Sequence, residues 1–201
     1  ALSPLLLVYR ALTIPQLKRE AQTDEKTGLW NARHFSKLFT TEVERAKRFE
    51  RPLAVIMADL DLLRNINNTY GHLAGDAVLA GIAQIITKTI RSYDIACRFG
   101  GEEFCIVLPE AMPGDGLAIA ERLREAVEAA RFEVATSRTA IRATMSLGVG
   151  AFPWDASTPT DLIHQADVAV YQAKLRGRNC VVCASDVPHY IKMDRPPAED
   201  R

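Results

Sequence analysis

Two groups of carboxylates stand at the ends of apolar runs in this 201-residue chain. The first is Glu102-Glu103, which follows Gly100-Gly101 between Asp94-Ile95-Ala96-Cys97 and Cys105-Ile106-Val107-Leu108. Apolar run, Gly-Gly, apolar run predicts a β-hairpin whose two-residue turn takes positive φ. Such a turn pairs Phe99 with Glu102 and Arg98 with Glu103. Alternation then sends the two glutamates to opposite faces, one toward a ligand and one toward Arg98. The second group is Asp59-Leu60-Asp61, which closes the run Leu53-Ala54-Val55-Ile56-Met57-Ala58. A continuous apolar run predicts a strand buried on both faces. Carboxylates at the end of a buried strand need something to compensate their charge. Magnesium is held by one or two carboxylates plus substrate phosphates. A solvated turn would explain Gly-Gly-Glu-Glu alone; the two acidic groups together predict a metal–nucleotide site.

Further polar residues cluster between the two groups. Leu62 to Asp76 is dense in amide, glycine and carboxylate groups, with Asn67, His72 and Asp76 ahead of a helix over about Gly75 to Ile90. Asn67 and Asp76 could cap that helix. They could equally read a purine edge, since a carboxylate accepts from adjacent N–H groups, which guanine offers and adenine does not. Lys174 and Arg178 lie four apart around Gly177, where they suit a helix C-terminus or a triphosphate. Arg91 and Asp94 sit three apart, which by itself describes an exposed pair of little energetic weight.

The elements that must position these groups follow from periodicity. Asn31 caps a helix over Ala32 to Arg48, with Phe35, Leu38, Phe39, Val43 and Ala46 on one face. A strand over 53–59 follows, then the helix over 75–90, the hairpin, and a helix over Pro113 to Ala130. Phe132 to Ala135 and Ala140 to Ala151 read as strands, Thr160 to Leu175 as a helix, and Asn179 to Ala184 as a last strand. That order predicts an α+β fold, a mostly antiparallel sheet flanked by helices. Residues 1–23, punctuated by Pro4 and Pro15, read as an N-terminal signalling or linker segment, 24–184 as the domain, and 185–201, with three prolines among charges, as a tail.

The bulk numbers bound the function. Lys plus Arg is 25 and Asp plus Glu is 25, which argues against nucleic-acid binding, since that needs a basic footprint. No apolar run approaches the ~20 residues of a membrane span, and no signal peptide is recognisable. A cytoplasmic location is expected, with membrane anchoring only through an upstream module. Cys180-Val181-Val182-Cys183 matches C-x-x-C, but its β-branched centre reads as strand. Cys97, placed opposite Phe104, would face away from Cys105, so all four thiols read as small core residues.

Gly100-Gly101-Glu102-Glu103-Phe104, with Asp59 upstream and Asn67…Gly71-His72…Gly75-Asp76 between, resembles the GGDEF-domain diguanylate cyclases. The resemblance covers about 24–184 and extends to Asp24…Thr27-Gly28-Leu29-Trp30-Asn31, Thr144-Met145-Ser146-Leu147-Gly148-Val149, and Ala166-Asp167…Lys174…Gly177-Arg178-Asn179. It implies a fold like the palm of nucleotide polymerases and class III cyclases. It implies condensation of two GTP into cyclic di-GMP and two pyrophosphates by a homodimer of half-sites, under an upstream sensor module. By this resemblance Asp59, the Leu60 carbonyl, Glu102 and Glu103 hold magnesium, with manganese as an alternative, and Glu102 or Glu103 helps deprotonate the attacking hydroxyl. Asn67 and Asp76 match guanine-reading positions, His72 and Arg64 positions beside the substrate, and Lys174 and Arg178 phosphate-binding cations. Arg91-Ser92-Tyr93-Asp94 matches the R-x-x-D product-inhibition site, and Arg122 a second contact to the inhibitory cyclic di-GMP.

Three positions depart from the family pattern. Leu63-Arg64 stands where Phe-Lys is usual, Asn67-Asn68 where Asn-Asp is usual, and Lys26 where Leu is common. None removes a metal ligand, so activity is expected. The alternatives are a catalytically weak module that binds GTP or cyclic di-GMP as a receptor, and a cyclase of mixed purine dinucleotides, against which Asp76 argues.

Overall fold

The computed structural model describes residues 22–134 and 140–188. The reading of 1–23 as a linker falls almost wholly outside these residues, as does most of the 185–201 tail. Among the described residues the elements are β1 (Trp30–Asn31), α1 (Ala32–Phe49), β2 (Leu53–Leu60), α2 (Leu63–Tyr70), α3 (His72–Thr89), β3 (Ile95–Arg98), β4 (Glu103–Pro109), α4 (Pro113–Ala129), β5 (Met145–Phe152), α5 (Pro159–Leu175) and β6 (Val181–Cys183). They form a six-stranded sheet in the order β1-β3-β4-β2-β5-β6. The three central pairings are antiparallel and the two outer ones parallel, which gives the α+β architecture with its mostly antiparallel sheet.

Alternation along β2 and β4 divides the core in two. Ala54, Ile56, Ala58 and Leu60, with Phe104, Ile106 and Leu108, face α3 and α4. Leu53, Val55 and Met57, with Cys105 and Val107, face α1 and α5. Both strands are apolar on both faces because both faces are covered. Asn31 caps α1 as its spacing predicts, accepting from the His34 N–H at 2.9 Å. On α1, Phe35 stacks on Phe39 at 5.6 Å and meets Phe99 edge-on at 6.3 Å. That contact seats the start of the Gly-Gly turn on the helix. A Cβ at Gly148 would collide with the Ala166 carbonyl and come within 2.6 Å of the Val170 N, so α5 crosses β5 backbone to backbone there. This close crossing brings the last turn of α5 to the end of β2.

The structure corrects several sequence readings. The hairpin turn is longer than two residues: Arg98 pairs with Phe104, not Glu103, and Phe99 does not pair with Glu102. The N–H groups of Phe99 and Gly100 both donate to the Glu103 carbonyl, at 2.8 and 3.2 Å. Neither turn glycine has positive φ. The Glu103 carboxylate instead lies in the space a Cβ at Gly100 would take, so a larger residue there would displace that carboxylate. The altered register places Cys97 opposite Cys105, so both face α1 and α5 as free thiols. Residues 63–70, part of the polar stretch for which no helix is expected, form α2; the next helix starts at His72 rather than near Gly75. Neither Asn67 nor Asp76 caps α3, whose N-cap is Gly71 at φ 87° without a side-chain hydrogen bond. Phe132 meets Ile141 in an isolated bridge, and the strand expected over 140–151 starts only at Met145. After β6 the chain makes a 3-10 turn over Ala184–Asp186, and Val187 packs on α5. Among the described residues no helix is long and apolar enough to cross a membrane.

Candidate active site

The pairing of β2 with β4 ends at Asp59 opposite Glu103. Directly opposed residues on one sheet face hold their Cβ atoms about 5 Å apart, where like charges repel. The ladder continues one step, the Leu60 N–H donating to the Glu102 carbonyl at 3.0 Å. Three of the predicted carboxylates, Asp59, Glu102 and Glu103, are therefore gathered at one sheet end. Asp59 is buried, 6% exposed. Burial pushes its carboxyl up to about 7, against the pull of Lys174 and with the added repulsion of Glu102 and Glu103. The Lys174 Nζ, on the last turn of α5, stands 3.1 Å from Asp59 Oδ2.

Asp61, two residues on, points elsewhere. It is 5% exposed and accepts from the Ser146 hydroxyl at 2.7 Å, the Thr144 hydroxyl at 2.8 Å and the Asn179 N–H at 3.1 Å. The last bond ties down the left-handed pair Arg178, φ 68°, and Asn179, φ 47°. Asn179 is held from outside too, its amide donating to Glu128 at 2.8 Å and accepting from Arg124 at 3.1 Å. Asp61 thus fixes the loop that carries exposed Arg178. Sequence reasoning grouped Asp61 with Asp59 and gave it no task of its own; the signal was the alternating pair Thr144 and Ser146, whose hydroxyls meet it.

A second cluster lies at the corner where α2 turns into α3. Leu62, φ 58°, starts α2 without a side-chain cap, so the first N–H groups of that helix are left for an outside acceptor. Arg64 is exposed on its first turn and Asn67 half-buried on its last. The Asn67 side-chain oxygen occupies the space a Cβ at Gly75 would take. His72 and Asp76 sit on the first two turns of α3. Asp76 accepts from Lys26 at 2.7 Å.

Arg98 does not turn to Glu103 as the two-residue turn predicted. Its guanidinium reaches Asp24 at 3.3 Å and the Gly101 carbonyl at 2.6 Å. Burial works against the Asp24 charge, but the Thr27 hydroxyl and N–H together with Arg98 hold its carboxyl below the usual range. The segment 24–28 is thereby locked to the β3–β4 hairpin. A third group is separate from both clusters. The Arg91 N–H donates to Asp94 at 2.7 Å, its guanidinium donates to the Tyr93 hydroxyl at 2.7 Å, and Arg122 donates to the Thr89 carbonyl at 3.0 Å. Arg91 and Asp94 line a hollow of about 500 Å³ with Thr23, Gly28, Leu29 and Trp30.

Among the described residues no three His, Cys, Asp or Glu side chains converge as a ready-made metal set. The donors at the end of β2 nevertheless fit a hard divalent cation. They are all oxygen, one is buried, and burial, with the added repulsion of Glu102 and Glu103, holds Asp59 well above its usual 3.8 despite Lys174. A cation bound there would relieve that repulsion.

Comparison with known proteins agrees with this geometry. The profile of the family described as "Diguanylate cyclase, GGDEF domain" matches residues 21–180. The response regulator PleD of Caulobacter vibrioides is 41% identical over 162 residues, 81% of this chain and 36% of that protein. This chain likewise spans less than half the length of the diguanylate cyclases of Treponema denticola and Escherichia coli that it matches, 48% and 38%. Among solved structures, the GGDEF domain of DgcB from Caulobacter crescentus in complex with c-di-GMP superposes with a TM-score of 0.78 at 26% identity, covering 83% of this chain and 97% of that one. The active GGEEF domain of a diguanylate cyclase from Vibrio cholerae gives 0.71 at 30% identity, covering 77% and 96%. With the paired carboxylates at the sheet end and a profile match over most of its length, this chain belongs to the diguanylate cyclase GGDEF-domain family.

Proposed function

We propose that this domain condenses two GTP into cyclic di-GMP and two pyrophosphates, working as a homodimer with one nucleotide per protomer. The observation that carries the reading is the apposition of Asp59 and Glu103 beside Glu102, with Lys174 3.1 Å from Asp59. Asp59, Glu102, Glu103 and the Leu60 carbonyl would hold magnesium, or manganese in its place, which supplies neutralisation of phosphate charge and orientation of the reacting oxygens.

The chain's own residues do the remaining work. Lys174 and Arg178 offer cations to the triphosphate, and the uncapped first turn of α2 offers N–H groups to the same anion. Asn67 and Asp76 take the guanine, with His72 and Arg64 beside it. The 3′-hydroxyl of one GTP attacks the α-phosphorus of the other. The new O–P bond forms as the bond to the bridging β-phosphate oxygen breaks, pyrophosphate leaves, and the hydroxyl proton passes to Glu102 or Glu103. The same step in the opposite sense closes the ring, which is why two sites must face each other. The reaction is proximity-driven and depends on the concentration of dimer. The hollow beside Arg91 and Asp94 supports a site for the cyclic product, with Arg122 as a second contact, and hence feedback inhibition. An upstream sensor module would set the dimer population.

The test is chromatography of products after incubating concentrated protein with GTP and magnesium, with a phosphodiesterase present to remove inhibitory product. Linear dinucleotide from cleaved cyclic di-GMP is expected, and none from Asp59→Asn or Glu102→Gln protein. Normal turnover in both variants would refute the metal assignment. Binding of GTP without product in a dimerised sample would replace the cyclase with a nucleotide receptor.

A further inference from the structure

Lys26 stands apart from the machinery described above, yet it bonds one of its members. Its Nζ lies 2.7 Å from Asp76 Oδ1, across 50 residues of sequence. The backbone under Lys26 is fixed. The Asp24 carboxylate accepts from the Thr27 N–H at 2.9 Å and its hydroxyl at 2.7 Å. The Asp24 N–H donates to the Leu29 carbonyl at 2.8 Å, the Gly28 N–H donates to the Asp24 carbonyl at 2.8 Å, and Arg98 anchors the whole turn. The Lys26 side chain itself is exposed. The side chains of Lys26 and Asp76 are 51% and 34% exposed, so a ligand can reach both. An ion pair this exposed contributes little to stability. Asp76 follows Gly75, against which the Asn67 side-chain oxygen lies, so the pair stands beside the second residue assigned to the base.

We propose that Lys26 and Asp76 form one reader for the 6-oxo edge of guanine, with the ammonium donating to O6 while the carboxylate accepts from N1–H and the 2-amino group. This rests on the assignment of Asp76 to the base. A carboxylate has about four lone-pair directions, so one ammonium does not exhaust it. Along its pairing edge guanine presents acceptor, donor, donor. A cation beside a carboxylate presents the complement: donor, acceptor, acceptor. Adenine carries a 6-amino donor where guanine carries O6. In this site that amino group would meet the ammonium, and the unprotonated N1 of adenine would meet the carboxylate. Both mismatches are repulsive, so the pair selects against adenine as well as for guanine. An apolar side chain at position 26 could supply neither term.

The test is calorimetric binding in the Glu102→Gln background, which separates recognition from turnover, using GTP, ATP and 6-thio-GTP. Lys26 is half exposed, so Lys26→Met is not expected to disturb folding. Lys26→Met should weaken GTP by roughly 3- to 10-fold. It should weaken 6-thio-GTP much less, because the thiocarbonyl is a poor acceptor, and it should narrow the gap between GTP and ATP. Equal weakening of GTP and 6-thio-GTP would overturn the proposal. So would tighter GTP binding, which would make Lys26 a competitor for Asp76. A parallel Asp76→Asn protein separates the two levels: unchanged GTP binding there refutes the assignment of Asp76 to the base, whereas loss there with no effect of Lys26→Met refutes the role of Lys26 alone.

Discussion

The Asp59 carboxyl makes its end of the sheet a liability to the fold. Burial pushes it from the usual 3.8 up to about 7, with Glu102 and Glu103 adding to the shift and Lys174 opposing it. In the unfolded chain the group ionises near 3.8; in the metal-free fold it keeps its proton until near neutrality. Between those values the native state binds more protons than the unfolded state, so stability falls as pH rises. At 1.36 kcal/mol per pH unit the loss is roughly 4 kcal/mol in full once pH exceeds 7. For a domain of this size that is on the order of 10 °C in Tm. Below pH 3.8 the contribution is fully present; above about 7 it is gone.

The assay is a set of thermal melts of metal-free wild type and Asp59→Asn from pH 4.5 to 8.5. The variant cannot ionise at this position, so its advantage over wild type should grow with pH and level off just above 7. Lys174 loses its 3.1 Å partner in the variant, which offsets part of the gain. Magnesium should then raise the wild-type Tm at pH 8, where no proton on Asp59 competes with the ion, and leave the variant, which lacks that carboxylate, unmoved. Parallel pH profiles for the two proteins would refute the reasoning.

Three other outcomes follow from particular contacts. Gly148→Ala should cost about 1–3 kcal/mol in urea denaturation, because its Cβ meets α5 backbone, which cannot step aside as a side chain can. Asp61→Ala strips three donors of their acceptor and frees the Arg178–Asn179 loop; it should destabilise the fold by about 3 kcal/mol and raise KM for GTP more than it lowers kcat, and an unchanged KM would remove Asp61 from the phosphate side of the site. Arg91→Ala should shift the inhibition curve for added cyclic di-GMP to higher concentration in a turnover assay, and an unmoved curve would detach the 500 Å³ hollow from feedback.

The long elements were legible because their patterns repeat: α1, α4 and α5 begin and end within about a turn of their predicted bounds, and the runs that became β2 and β4 are apolar on both faces. What the sequence hid was decided by contacts across the fold. The eight-residue α2 carries Arg64, Asn65, Asn67 and Asn68, which read as turn; Leu63 and Ile66, reaching the core, make it a helix. The hairpin register could not be read from Gly-Gly because Gly100 serves the Glu103 side chain rather than a positive φ. The pairing of Lys26 with Asp76 carries no local signal, since 50 residues of sequence separate them.

The register itself links core and chemistry. Repulsion between Asp59 and Glu103 opposes the pairing that places them together, yet six pairs above them, from Leu53–Pro109 to Ala58–Phe104, are set by packing. A slip of one residue would turn Phe104, Ile106 and Leu108 toward α1 and α5, and drive Glu103 into the core under α3 and α4. The apolar alternation of β4 therefore enforces an apposition of carboxylates that electrostatics alone would pull apart. Loss of the core register and loss of metal affinity should accordingly be inseparable, so substitutions that loosen Ile106 or Val107 should weaken magnesium binding without touching a single ligand.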